Sequence, residues 1–279
     1  MSDLFATLAS QPLAERMRPK RLADMVGQER LLSPESALRQ AVESGRIHSM
    51  ILWGPPGCGK TTLALLVAQY AKARFVSISA VMSGLPEVRK VLAEAEQCFL
   101  RGEATVLFVD EVHRFNKVQQ DAFLPFIEKG SIVFVGATTE NPSFELNSAL
   151  LSRCRVHVLD PVSVTAIVQA LQAALTDKTH GIKADVGVTD LQLLSIAQAA
   201  DGDVRRALTL LEIACEVAAS SDDAISDNTL QQVLADRTRR FDKGGDQFYD
   251  QISALHKSVR NSNPDAALYW FARMIDGGC

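Results

Sequence analysis

Residues 54–61 read Gly-Pro-Pro-Gly-Cys-Gly-Lys-Thr, the stretch of this chain whose residue types and spacing are most informative about chemistry. The spacing is that of a phosphate-binding loop, in which Gly54 and Gly59 let backbone N–H groups close around phosphate oxygens. Lys60 is expected to reach the β- and γ-phosphates of ATP, and the hydroxyl of Thr61 to ligate Mg²⁺. The full set of residues that we assign to this loop is Gly54, Pro55, Pro56, Gly57, Cys58, Gly59, Lys60, Thr61 and Thr62.

The segments on either side of the loop support this interpretation. An apolar run at residues 50–53 reads as a buried strand, and residues 62–68 read as a helix. A strand, a glycine-rich loop and a helix in this order place the positive end of the helix dipole beside the phosphates. Cys58 stands where threonine or serine is more usual, and its thiol is expected to make the loop sensitive to alkylation.

Carboxylates and a threonine follow two further apolar strands. Asp110 and Glu111 come directly after residues 105–109, and Thr139 follows residues 131–136. Ligand sites of parallel sheets lie at the carboxyl ends of the strands. We therefore expect Asp110 to hold Mg²⁺, Glu111 to activate the attacking water and Thr139 to sense the γ-phosphate.

Two arginines are candidates for contact with the γ-phosphate. Arg153 lies just before the last predicted strand and has no obvious carboxylate partner nearby in the sequence. It could complete the site of a neighbouring subunit as an arginine finger, or form a surface salt bridge. Arg205 opens a later helix and could fold over the nucleotide, whereas Arg206 points elsewhere, about 100° around the helix.

The elements that must position these residues alternate between strand and helix over the first part of the chain. This alternation predicts an α/β fold, a parallel sheet with helices on both faces. We predict strands near residues 50–53, 75–78, 105–109, 131–136 and 155–159, and a helix over 86–101. We also predict a helical segment that starts at Gly27 and runs through Leu31, Leu38 and Val42, and one helix over 119–128, bent at Pro125.

Strand signals end near residue 164, and an all-helical domain is expected from there. Its helices are predicted near 164–176, 189–200, 203–219 and 227–236, and further helices over 246–276. The predicted units are an N-terminal segment (1–45), an α/β core (46–161), a helical lid (162–240) and the beginning of a helical C-terminal domain (241–279).

Composition limits the classes of protein that fit. Apolar residues make up 47% of the 279 residues, enough for a core, yet no run is long enough to span a membrane. The five cysteines are scattered without metal-binding spacing, which favours free thiols in the cytoplasm. With a net charge of −4, any contact with DNA must come from local basic patches. Candidates are Arg16, Arg18, Lys20 and Arg21, and Arg237, Arg239 and Arg240, although solvated charge explains them equally well.

With these residues identified, the chain resembles the AAA+ ATPases of the clamp-loader clade over almost its whole length. Within that clade it is most similar to the family of bacterial replication-associated recombination proteins and Werner-helicase-interacting ATPases. The long runs at residues 50–57, 110–117 and 136–147 suggest the narrower family. The shared motifs are Arg18-Pro19, Val26-Gly27-Gln28, the phosphate loop, Asp110-Glu111, Thr138-Thr139, Ser152-Arg153-Cys154 and Gly202-Asp203-Val204-Arg205.

The resemblance implies a P-loop NTPase fold and an oligomeric, DNA-stimulated ATPase of the cytoplasm and nucleoid. It would act on DNA ends, gaps or forks at stalled replication, with single-stranded DNA-binding protein and replisome components as partners. It places Arg18, Val26 and Gly27 near the adenine. Family members form tetramers through a C-terminal domain and extend beyond residue 279, so we expect a truncated chain in which assembly, and with it the action of Arg153, is affected.

Two other functions remain open from the sequence. A protein-remodelling chaperone of this superfamily would grip polypeptide with an aromatic loop after the second strand, and residues 79–84 contain no aromatic residue. A nucleotide-gated adaptor would bind ATP without turnover, and the carboxylate of Glu111 argues against it.

Overall fold

The computed structural model describes residues 11–183, 186–219, 225–235 and 246–276. Its centre is a five-stranded sheet of order β2-β3-β4-β1-β5, in which every pair of neighbouring strands is parallel. This confirms the predicted α/β class. The strands are β1 (Met50–Trp53), β2 (Arg74–Ser79), β3 (Thr105–Asp110), β4 (Val133–Thr138) and β5 (Arg155–Val158).

Helices cover the sheet, and the described part of the chain after β5 contains helices without further strands. The helices of the N-terminal segment and the sheet region are α1 (Leu13–Arg16), α2 (Glu29–Leu32), α3 (Ala37–Glu43), α4 (Lys60–Tyr70), α5 (Leu85–Leu100), α6 (Lys117–Asp121), α7 (Leu124–Lys129), α8 (Pro142–Glu145) and α9 (Ser148–Leu151). Those that follow β5 are α10 (Val164–Thr176), α11 (Asp190–Ala200), α12 (Val204–Ala219), α13 (Asp227–Ala235), α14 (Asp246–Arg260) and α15 (Pro264–Asp276).

The two faces of the sheet bury separate apolar clusters. Leu63 and Val67 of α4 pack with Phe108 of β3 in one cluster. Phe123 and Phe134 belong to the other, together with the buried face of α5. Residues 105–109 of β3 are buried throughout because helices cover both sides of a central parallel strand, which explains their unbroken apolar run.

Helices α10 to α13 surround a third apolar cluster of their own. Ile167, Ile196 and Leu211 are fully buried there, one from each of three helices. Leu13 of α1 also lies in this cluster, whereas Leu22 packs with the sheet. The N-terminal segment is therefore shared between the sheet and the helical unit, which we call the lid.

Three local predictions differ from the structure. The predicted helix 119–128 is two helices, α6 and α7, because Pro125 lacks an N–H and stands in the first turn of α7. The strand predicted over 131–136 starts at Val133, since the Ser131 backbone N–H donates to the Phe126 carbonyl instead of joining the sheet. The helical pattern from Gly27 to Val42 is divided into α2 and α3 around Pro34.

Two predictions from composition also have structural outcomes. No helix within the described ranges has the length and apolar content of a membrane span. Cys58, Cys98, Cys154 and Cys215 are free and buried, and Cys279 lies outside the described residues. Arg237, Arg239 and Arg240, the second basic cluster, also lie outside them.

Candidate nucleotide-binding site

The phosphate-loop residues connect β1 to α4 through left-handed backbone. Gly57 has φ +69°, and Gly59 has φ +103° as the residue that precedes the first turn of α4. Side chains other than glycine rarely adopt such angles. Because α4 begins at Lys60, the unsatisfied N–H groups of its first turn lie at the end of the loop, where a phosphate could bind them.

Lys60 is directed back into the loop. Its side-chain nitrogen Nζ donates to the carbonyl of Gly54 at 2.7 Å and to that of Pro55 at 2.9 Å, and the residue is 8% exposed. The Lys60 ammonium thus has two carbonyl oxygens as partners, and phosphate oxygens could join or replace them. A buried cation on a glycine-rich loop fits an anionic ligand.

Asp110 and Glu111 lie at the carboxyl end of β3, as predicted. Glu111 has φ +53°, a left-handed conformation that costs a non-glycine residue about 1 kcal/mol or more and is typical of functional sites. Burial raises the pKa of the Glu111 carboxyl, whereas Lys60 and the hydrogen bonds from Thr139 oppose this increase. A carboxylate with a raised pKa is a stronger general base at neutral pH.

The Glu111 carboxylate is held by two side chains. The Thr139 hydroxyl lies 3.4 Å from Glu111 Oε2, and His113 Nδ1 lies 3.3 Å from the same oxygen. His113 Nδ1 is also 3.0 Å from the hydroxyl of Thr138. Sequence reasoning selected Thr139 but missed His113. Its position three residues after Asp110 was the only signal available.

The lid closes against the phosphate loop through Asp203. A Cβ added to Gly57 would lie 1.8 Å from Oδ1 of Asp203, so the carboxylate is in close contact with the loop backbone. Asp203 also caps α12 by accepting a hydrogen bond from the Arg206 N–H at 2.9 Å. Gly27 also lies close to the lid connection, because a Cβ there would lie 2.6 Å from Val162.

Gln28 joins the phosphate loop to the segment that leads into the lid. It is 3% exposed, and its amide nitrogen donates to the carbonyls of Cys58 at 3.3 Å and Asp160 at 2.8 Å. Its amide oxygen accepts the Asp160 N–H at 3.2 Å. The side chain thereby couples two backbone segments on either side of the site.

One cavity of about 1200 Å³ lies between the loop, the N-terminal segment and the lid. The predicted site residues that line it are Arg18, Val26, Pro56, Gly57, Cys58, Gly59, Lys60, Thr61, Thr62, Asp110, Glu111 and Arg205. The predicted residues that do not line it are Gly27, Gly54, Pro55, Thr139 and Arg153. The cavity is large enough for a nucleotide, since ligand pockets have volumes of about 300–1,000 Å³.

Burial argues against the expected reactivity of Cys58. The residue is 2% exposed, and burial raises the pKa of its thiol although Lys60 acts in the opposite direction. Because the thiolate is the nucleophilic form, a buried thiol with a raised pKa reacts slowly.

Arg153 has a carboxylate partner that the sequence does not reveal. Its Nε donates to Glu128 Oε1 at 2.7 Å, and its Nη2 also contacts that oxygen. Its Nη1 donates to the Ala149 carbonyl at 2.8 Å and to the Ser152 hydroxyl at 2.9 Å. The sequence near Arg153 contains no such partner, because Glu128 is 25 residues away and comes close only where the fold brings α7 beside the residues that follow α9.

The N-terminal basic cluster is paired within the chain. Arg16 contacts Glu212 of the lid at 3.2 Å, and Arg18 contacts Glu15. The remaining pairs are Arg21 with Asp24 and Lys20 with His180. These contacts favour a structural role over DNA binding for the cluster.

Comparison with known proteins agrees with this geometry. Residues 50–162 match the ATPase family associated with various cellular activities (AAA), and residues 182–260 match the AAA C-terminal domain. Replication-associated recombination protein A of Escherichia coli strain K12 is 54% identical over 285 aligned residues, covering all of this chain and 64% of that protein. The chain belongs to the replication-associated recombination protein A family of AAA ATPases.

Two further proteins extend the comparison. ATPase WRNIP1 of Dictyostelium discoideum is 39% identical over 293 residues, which cover 99% of this chain and 33% of that protein. RuvB of Thermotoga maritima, described as a Holliday junction branch migration motor, has a similar structure, with a TM-score of 0.65 and 28% identity over 88% of this chain and 80% of that one. The chain thus spans somewhat less than two thirds of the length of the replication-associated recombination proteins that it matches.

Proposed function

We propose that this chain binds ATP with Mg²⁺ and hydrolyses it, and that hydrolysis is coupled to action on DNA during replication-associated recombination. The observation that carries the proposal is that Lys60, Thr61, Asp110 and Glu111 line one cavity beneath the lid. These are the residue types that cradle phosphates, hold a divalent cation and activate water in P-loop NTPases.

Each residue has a role that follows from its chemistry. Lys60 would exchange its loop carbonyl partners for β- and γ-phosphate oxygens. The Thr61 hydroxyl and the Asp110 carboxylate would hold Mg²⁺, whose oxygen-rich coordination suits both groups. When bound, Mg²⁺ neutralises charge that develops on the phosphates. Arg205, which lines the cavity from the lid, would add positive charge from the opposite side.

Glu111 is the proposed general base. It would orient a water molecule and accept its proton as the water oxygen attacks the γ-phosphorus and the bond to the leaving oxygen of ADP breaks. The raised pKa of Glu111 supports this role, and so does its contact with Thr139, the proposed sensor of the γ-phosphate. Arg18, Val26 and Gly27 would surround the adenine.

The coupling to DNA rests on the relatives. We propose DNA ends, gaps or forks as the substrate, with single-stranded DNA-binding protein among the partners. We also propose that the full-length protein assembles as a tetramer, in which Arg153 would leave Glu128 and contact the nucleotide of a neighbouring copy. A fork-shaped guanidinium that already makes three hydrogen bonds and one further ion-pair contact is suited to exchange them for phosphate oxygens.

The test is steady-state ATP hydrolysis by this chain with and without forked DNA. Lys60→Ala should abolish turnover and weaken ATP binding, and Glu111→Gln should lower turnover by at least about 100-fold while ATP still binds. Lys90→Ala and Glu87→Gln, both on the exposed side of α5, are matched controls that should change neither. Turnover that survives Lys60→Ala would contradict the proposal.

The same assay separates the two other functions. A nucleotide-gated adaptor would bind ATP but show no turnover in any variant, with or without DNA. A protein-remodelling ATPase would be stimulated by unfolded polypeptide and not by DNA. Val81 and Met82 are exposed in the loop after β2, but neither is aromatic, so no observation favours this alternative over DNA.

A further inference from the structure

His113 lies beside the proposed general base, and most of its side chain is buried. It lies in the 3-10 turn Val112–Arg114 that follows Glu111, and its side chain is 7% exposed. We propose that His113 is a positioning residue, which fixes the Glu111 carboxylate in the orientation that receives a proton from water. The inference rests on the proposed function, because it assigns a role to His113 only if Glu111 acts on water.

The contacts of His113 determine which ring nitrogen carries the proton. Nδ1 lies 3.3 Å from Glu111 Oε2 and 3.0 Å from the Thr138 hydroxyl oxygen. That hydroxyl accepts the Glu140 N–H at 3.0 Å and has the Glu140 carbonyl at 3.2 Å as acceptor for its own proton. An ionised carboxylate only accepts hydrogen bonds, so an unprotonated Nδ1 would face it with a second lone pair. The neutral ring is therefore protonated at Nδ1.

The arrangement leaves one oxygen of Glu111 for water. Thr139 and His113 both approach Oε2, and no hydrogen bond to Oε1 is found among the described residues. Oε1 is thus the oxygen that would accept the proton. The close approach of both groups to Oε2 restricts rotation of the carboxylate about its Cγ–Cδ bond.

Thr138 anchors this arrangement to the sheet. Thr138 is fully buried at the end of β4 and pairs with Trp53 of β1. Because the Thr138 hydroxyl is held by the backbone of Glu140, the ring of His113 has a rigid support. A rigid support matters because a shift of about 1 Å in a reacting group can cost about 100-fold in rate.

Two substitutions separate a hydrogen-bond role from simple filling of space. The side-chain nitrogen of asparagine can lie near the position of Nδ1, whereas that of glutamine lies near the position of Nε2. His113→Gln should lower kcat for ATP hydrolysis by about 10- to 100-fold. His113→Asn should keep kcat within about threefold of the unsubstituted chain, and the dissociation constant of ATP should change less than about twofold in both variants.

The result that overturns the inference is equal kcat in both variants, whether both retain activity or both lose it. Glu111→Gln, measured alongside, distinguishes this failure from failure of the proposed function. If Glu111→Gln retains turnover, the role of Glu111 as general base is wrong and His113 has nothing to position. If it abolishes turnover while His113→Gln retains it, only the role of His113 is wrong.

A measurement on the unsubstituted chain does not depend on activity or on the folding of a variant. Long-range proton–nitrogen NMR spectra of the chain with ¹⁵N-labelled histidine report which ring nitrogen is protonated. We expect His113 to be protonated at Nδ1 with an unprotonated Nε2. A ring protonated only at Nε2 would overturn the inference, even for a chain with no measurable turnover.

Discussion

Replacing Gly57 with alanine is expected to separate the lid from the phosphate loop and to weaken ATP binding. A Cβ at this position would lie 1.8 Å from Oδ1, 2.3 Å from Cγ and 2.9 Å from Cα of Asp203. Non-bonded carbon atoms prefer separations of about 3.5 Å or more. Because the third contact is with the backbone, rotation of the Asp203 side chain cannot relieve it, and the N-terminal end of α12 must move.

The destabilisation expected in Gly57→Ala has two parts, and a matched control variant separates them. Gly57 has φ +69° and Gly130 has φ +72°, but a Cβ at Gly130 would meet no atom within 4 Å. Both alanine variants should therefore lose about 1–2 kcal/mol of unfolding free energy from left-handed backbone. Overpacking at Gly57 adds about 1–3 kcal/mol, which corresponds to a loss of ATP affinity of about 5- to 150-fold if the lid moves.

The assay combines urea unfolding with titration of a fluorescent ATP analogue. Gly57→Ala should bind the analogue more weakly than Gly130→Ala, and equal affinities of the two variants would refute the argument from the lid contact. A double variant with Asp203→Ala distinguishes this contact from a direct clash with phosphate. The double variant should bind the analogue more tightly than expected from adding the losses of affinity in the two single variants, because the carboxylate that causes the clash is gone.

Three further predictions concern stability. The half-buried ring of His157 has a pKa lowered to about 4, chiefly by its partial burial. Between about pH 6.5 and pH 4, His157 is therefore protonated in the unfolded chain but neutral in the native chain. The free energy of unfolding should fall as the pH is lowered through this range, by up to about 3 kcal/mol. His157→Gln should flatten that decrease. Glu128→Gln should lower the free energy of unfolding by less than about 1 kcal/mol, because its pair with Arg153 is exposed. Gln28→Leu should cost about 1–3 kcal/mol, because the Asp160 N–H and two carbonyls lose their partner.

Each of these is checked by urea unfolding. For His157 the comparison is between pH 7 and pH 4.5, and an identical pH dependence in the Gln variant would contradict the assignment. A loss above about 2 kcal/mol in Glu128→Gln would mean that the pair is shielded from solvent. No loss in Gln28→Leu would mean that water replaces the amide in all three contacts.

The phosphate loop illustrates what local sequence can predict. Its glycines, Lys60 and Thr61 lie within one contiguous stretch, and the strand and helix on either side follow from hydrophobic pattern alone. The structure places β1 at Met50–Trp53, as predicted, and begins α4 at Lys60, two residues before the predicted start. Contiguous residues constrain one another through the backbone, so long-range packing changes their arrangement little.

Residues that depend on distant partners could not be predicted in the same way. Nothing near Arg153 in sequence points to Glu128, and nothing near His113 points to Thr138, which is 25 residues away. The first contact arises because the fold brings α7 close to Arg153, just after α9, and the second because β3 and β4 are neighbours in the sheet. The hydrophobic pattern does not predict the order of the strands in the sheet, since all buried strands have the same kind of apolar sequence.

The sequence by itself determined the class of fold and the set of groups that could hold a nucleotide, because these follow from motif spacing and from the periodicity of apolar residues. It indicated the family through its resemblance to known members. Tertiary structure alone decided how those groups are held. It placed Asp203 of the lid against Gly57, put His113 and Thr139 on one oxygen of Glu111, and shared the N-terminal segment between two cores. Such contacts join residues far apart in the chain, and only packing of complete elements can bring them within hydrogen-bond distance.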